Sequence, residues 1–79
     1  MRLAKLNGNG SIYVNPHIKG EARTRVKRHM RVFKKAKQEG CSRNEAIRKA
    51  RKAEHRHMTK HEVFVYEGRL SAIARETRK

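Results

Sequence analysis

The sequence predicts a small single α+β domain over residues 1–79, in the order β-hairpin, two amphipathic helices, C-terminal β-hairpin. Three observations point there. Asn7-Gly8-Asn9-Gly10 separates two short apolar-bearing runs, apolar residues recur at spacings of three and four between Ile18 and Ala36, and Val63-Phe64-Val65-Tyr66 is a β-branched, aromatic run ahead of Glu67-Gly68. The first and third are hairpin signals and the second is a helical period.

Residues 2–6 and 11–14 are the two runs of the first hairpin. The Asn and Gly residues between them accept the positive φ that tight turns demand; without pairing, the same stretch would be a loose N-terminal tail. Asn15-Pro16 reads as the start of a helix, with Asn capping free N–H groups and Pro at the first helical position. Ile18, Ala22, Val26, Met30, Phe33 and Ala36 then form one helix face, and His29 falls inside its apolar arc as a boundary residue with a backbone partner. Gly40, behind Lys34, Lys35 and Lys37, sits where a helix C-terminus would end.

Ser42-Arg43-Asn44-Glu45 has the S-x-x-E pattern of a capping box and opens a second helix. Ala46, Ile47, Ala50 and Ala53 are its buried side, with Met58 near its end. The last hairpin pairs residues 63–66 with 69–75 around Glu67-Gly68. Val63, Val65, Leu70 and Ala72 then share a core face, and Phe64, Tyr66, Arg69, Ser71 and Ile73 the outer one. The stretch from Ser71 to Glu76 also suits a helix, which leaves 71–79 open between strand and helix.

Charge decides which partners to consider. The chain carries 22 Lys+Arg against 7 Asp+Glu, net +15. Within residues 19–60 the count is 16 basic against 4 acidic, net +12. Such density repels itself in a compact monomer and concentrates polyanions. High charge with four aromatics is also how disordered chains look, but the local order above argues for a fold. A core this small supplies only about 3–5 kcal/mol, so an oligomer or a bound partner would support it. A homodimer is credible on that ground. Cys41 is the only cysteine, which fits a reducing compartment and leaves at most an intermolecular bridge. No apolar run has the length of a membrane span or of a secretory signal. The expectation is a cytoplasmic protein with no membrane partner.

On the first helix Lys27, Arg28, Arg31, Lys34 and Lys35 gather opposite Val26 and Phe33. The second helix repeats the arrangement with Arg48, Lys52 and Arg56, flanked by Lys49 and Arg51. Like charges at i, i+4 destabilise an isolated helix by roughly 0.2–0.5 kcal/mol per pair. Acidic residues that would relieve this are nearly absent from both stripes. A solvated surface is the bland account; a phosphate-binding surface is the favoured one. Phe64 and Tyr66 beside Arg69 on the outer hairpin face form a candidate platform for stacking unpaired bases, against the alternative that they simply pack.

Other chemistry is poorly represented. His57 and His61 have i, i+4 spacing with His55 nearby, but zinc wants four firm ligands and the chain has one thiol and no Asp. The seven Glu are scattered, Asn7-Gly8-Asn9-Gly10 lacks the Lys-Ser/Thr of a phosphate-cradling loop, and Cys41 has no defined base. No catalytic residue, metal site or cofactor is expected.

The run from Gly40 through Cys41, Ser42, Arg43, Asn44, Glu45, Ala46, Ile47, Arg48 and Lys49 to Ala50 resembles the turn and the start of the second helix in ribbon-helix-helix DNA-binding proteins. Val26, Met30, Phe33 and Ala36 stand where that family's first helix is apolar. The likeness covers residues 26–51. It implies a dimeric regulator whose short strand, just ahead of the first helix, pairs with its dimer mate in the major groove. No residue role is transferred from it, since the first helix read here is longer and strands follow the second.

The function expected is nucleic-acid binding, with double-stranded DNA first because rigid helical stripes match a regular backbone. The alternatives are an RNA-binding or ribosome-associated protein, a ribbon-helix-helix-like transcriptional regulator, and a small phage or mobile-element inhibitor or adaptor docking on an acidic surface of a host protein. Phosphates and carboxylates are not separable from the sequence.

Overall fold

The computed structural model describes residues 3–77. Arg2, at the start of the first expected run, lies outside the described residues, as do 78 and 79. Two strands, β1 (Ala4–Leu6) and β2 (Ile12–Val14), are followed by three helices: α1 (Gly20–Gln38), α2 (Arg43–Glu54) and α3 (Lys60–Glu76).

The strands pair antiparallel with Ala4 opposite Val14 and Leu6 opposite Ile12. Side chains in the turn hold it: Asn9 Oδ1 accepts from the Ser11 N–H at 3.1 Å, and Asn7 Nδ2 donates to Ser11 Oγ at 2.9 Å. Period-2 alternation turns Ile12 and Val14 toward the core, where Val14, Ile18, Val26, Tyr66 and Leu70 form one buried cluster. Leu3, Ala4, Ala22, Met58 and Ile73 complete its margin.

Helix α1 begins later than Asn15-Pro16 suggests. Lys19 is its N-cap without a side-chain bond, and Gly20 at φ +64° turns the chain into it. Asn15 instead caps a turn: its Oδ1 accepts from the His17 N–H at 2.9 Å and its carbonyl from the Ile18 N–H at 3.0 Å. The turn drives Ile18 into the core at 0% exposure, so this residue is buried as expected but from outside the helix.

At the other end, Gly40 at φ +90° closes a Schellman motif. Its N–H donates to Lys37 O and that of Cys41 to Ala36 O, at 3.1 and 3.0 Å. The chain then reverses. Ser42 Oγ accepts from the Glu45 N–H at 3.3 Å, and α2 runs back along α1 over a seam lined by the buried Ala36, Ala46 and Ala50. Helix α2 stops at Glu54, leaving Met58 in the following turn and His57 at φ +65°. His57 and His61 are therefore not two positions on one helix.

The C-terminal β-hairpin does not exist. Residues 60–76 are one helix, and no turn forms at Glu67-Gly68. Its start carries the T-x-x-E signal: Thr59 Oγ1 accepts from the Glu62 N–H at 3.2 Å, and Glu62 Oε1 from the Thr59 N–H at 3.4 Å. Val63, Tyr66, Leu70, Ile73 and Thr77 recur at spacings of three and four, a helical period that sets Tyr66 and Leu70 in the core. Tertiary burial overrides the strand propensity of Val63-Phe64-Val65-Tyr66.

The ribbon-helix-helix expectation also meets a different arrangement. The strand ahead of α1 is paired in cis with β1, and α3 covers the core that a dimer mate would otherwise supply.

Candidate nucleic-acid interface

The exposed cations are set by helix rotation. At 3.6 residues per turn, Lys27, Arg31 and Lys34 lie on the flank of α1 beneath the hairpin, and Arg28 and Lys35 about a quarter-turn further round. The flank is confirmed by contact: Lys27 and Arg31 border a cleft against Ile12 and Val14, together with Arg23. Arg48, Lys49 and Lys52 project from the side of α2 opposite its buried alanines, and all three are exposed. The α1 cations thus divide between two aspects of the molecule. Arg23, half-buried, belongs to this set but was hidden from sequence reasoning because it sits at the edge of the apolar arc, beside Ala22. Its one signal was the four-residue step to Lys27 and on to Arg31.

Arg56 and Arg69 fall elsewhere. Arg56 lies past the end of α2, and its carbonyl accepts from Arg25 Nη1 at 3.0 Å, while the same nitrogen donates to Glu54 O at 2.8 Å. Arg25 therefore satisfies the carbonyl end of α2 from α1. Arg69 borders a separate groove with Glu21, Glu62 and Val65.

The base-stacking platform of Phe64 and Tyr66 loses its sheet. On a helix the two residues point apart, Phe64 at 78% exposure and Tyr66 at 6%. Tyr66 is occupied: its hydroxyl donates to Glu54 Oε2 at 2.5 Å.

Glu54 is the centre of a polar clamp where all three helices meet. His29 Nδ1 of α1 comes within 2.9 Å of Glu54 Oε1, without the alignment of a hydrogen bond, in place of the backbone partner expected for His29. His55 Nε2 meets Glu67 Oε1 at 2.6 Å. Burial alone would raise the Glu54 carboxyl; the His29 contact, the Tyr66 hydroxyl and the charges of His29 and His55 outweigh it and hold it below its ordinary value. Burial raises the Tyr66 phenol well above its ordinary value, and the bond to Glu54 and its charge add to this. Donor atoms of Glu54, His55 and Glu67 lie within 4.8 Å of one another. Each is already engaged within the clamp.

What this does to the charge balance is the central electrostatic fact. Among the described residues, Arg25 with Glu21, at 3.0 Å, is the one ion pair joining a Lys or Arg to a carboxylate. Glu54 and Glu67 are taken up by histidines and Tyr66, and Glu62 by the α3 cap. The Lys49 amine donates instead to Cys41 Sγ at 3.4 Å. The stripes on α1 and α2 are left without internal neutralisation.

No helix among the described residues is long and apolar enough to cross a membrane. No family model matches the chain, and neither a curated protein nor a solved structure matches it.

Proposed function

We propose that this chain binds nucleic acid, double-stranded DNA in the first place, through phosphate contacts from Lys27, Arg28, Arg31, Lys34 and Lys35 of α1 and Arg48, Lys49 and Lys52 of α2. The observation that carries the reading is the lack of carboxylate partners for these cations among the described residues, in a chain of net +15. Such a surface gains by displacing the condensed counterions of a polyanion, and its strongest natural match is a sugar–phosphate backbone. Phosphate contacts position a protein without reading bases, so the binding is largely independent of sequence.

The test is fluorescence anisotropy with a labelled duplex across a salt series. If six phosphates are engaged, log affinity falls against log salt with a slope of about −5. Reversing Arg31 and Lys35 to Glu weakens binding strongly; unchanged affinity at low salt would remove α1 from the contact. Structured RNA outcompeting the duplex would reassign the ligand to RNA, and retention of a cellular partner after nuclease treatment would reassign it to an acidic protein.

A further inference from the structure

One place among these cations has more than charge. The cleft between β2 and α1, about 320 Å³, is lined by Ile12 and Val14 on one side and by Arg23, Lys27 and Arg31 on the other. Those three cations sit at i, i+4 and i+8, and no carboxylate lines the space. Lys34 continues the same flank, its Nζ placed to stand 3.5 Å from a Cβ at Gly10.

The strand side is equally specific. Asn15 N–H donates to Leu3 O at 2.8 Å and Asn7 N–H to Ser11 O at 2.9 Å, so 3/15 and 7/11 are hydrogen-bonded pairs of the ladder. By alternation Lys5/Tyr13 is the third such pair, and Ile12 and Val14 direct their N–H and C=O groups away from β1. That free edge runs along the cleft, which touches β2 and not β1. Arg23 is held in place: its Nη1 donates to Asn15 O and Ile18 O, each at 3.3 Å, and Asn15 is wholly buried. A guanidinium has five N–H donors, so most of its donor capacity stays available.

The geometry points to a phosphate seat in this cleft, where one backbone phosphate is held by the side chains of Arg23, Lys27 and Arg31 and by the N–H of Ile12, the less buried of the two edge residues. It rests on the nucleic-acid reading above and adds a fixed anchor point to it. Donors converge from a strand edge on one side and a helix on the other. A tetrahedral phosphate presents acceptor oxygens toward both sides at once. The Ile12 and Val14 carbonyls face the same way, and the positive charge of the three cations lining the cleft offsets theirs.

Two variants of the full chain, each two charges poorer, test the seat. Lys27→Gln with Arg31→Gln alters the cleft, and Lys49→Gln with Lys52→Gln alters α2; all four positions are exposed. At about 100 mM salt, where long-range attraction is largely screened, the cleft variant loses roughly tenfold more duplex affinity than the α2 variant. Inorganic phosphate shifts the Ile12 amide resonance of the unaltered chain and leaves that of the cleft variant in place. Equal losses of affinity with no amide shift would overturn the seat while leaving the nucleic-acid reading intact. An amide shift in a chain that binds no duplex or RNA would uphold the seat and overturn nucleic acid as its source.

Discussion

Glu54 is the residue on which the meeting of the three helices turns. Its carboxyl is held below its ordinary value, so the folded form binds its proton less tightly than the unfolded chain does. The corresponding stability is complete above about pH 4.5, the reference value, and is lost as pH falls through the lower folded value. Glu54→Gln therefore costs about 1–3 kcal/mol at neutral pH and flattens the acid limb of a urea-unfolding series measured against pH. Tyr66 acts at the other end. Its phenol is raised, so its share of stability is present below pH 10 and lost above it; Tyr66→Phe removes that alkaline loss, read by the same series. Neither residue was legible as a clamp in the sequence. Glu54 is one of seven scattered Glu and Tyr66 reads as an outward strand residue, because their partnership spans twelve positions and depends on α3 being a helix.

At the scale of elements, what could be read was what local chemistry settles. The Asn/Gly turn, the apolar face of α1, the Gly40 terminus and the Ser42 cap all formed, each needing only a few consecutive residues. α3 was misread although Thr59-Lys60-His61-Glu62 has the same form as the Ser42 signal. The hairpin expectation rests on the β-branched run beyond it and on Gly68 and takes no account of this cap, and local propensity carries no information about which face will be buried. Gly68 now lies inside a helix, exposed, with nothing within 4 Å of an added Cβ. Gly68→Ala accordingly stabilises the protein by about 0.5–1 kcal/mol, seen as a higher midpoint in thermal unfolding, whereas a hairpin turn at that position would be disrupted. Thr59→Ala costs about 1 kcal/mol by the same measurement.

Across the whole molecule, charge is distributed unevenly. α3 carries Lys60, Arg69 and Arg75 against Glu62, Glu67 and Glu76, net zero, so the entire +15 lies outside it. The stripes of α1 and α2 were legible because helical rotation alone defines them. Their division between the hairpin flank and the α2 side was not, since it depends on which way the hairpin covers α1. Self-repulsion at this density predicts that the free chain gains stability as salt is added and its charges are screened. Thermal unfolding between roughly 20 and 500 mM sodium chloride shows a rising midpoint, while duplex affinity falls over the same range.

The way α3 is attached gives the protein a weakest part. The close backbone approaches are those of α1 with α2 and of the hairpin with α1. α3 stands off and is fastened by Tyr66 and Leu70 in the core, by Glu67 to His55, and by Asn15 Nδ2 donating to Thr77 Oγ1 at 3.2 Å. Opening it breaks a handful of side-chain links, the Tyr66–Glu54 bond among them, and uncovers Val14, Ile18 and Val26, while the close approaches of α1 with α2 and of the hairpin with α1 involve no residue of α3. Amide protons of residues 63–74 then exchange with deuterium sooner than those of 26–36, and limited proteolysis first releases a C-terminal peptide. Uniform protection across the three helices would mean that the molecule opens only as one unit.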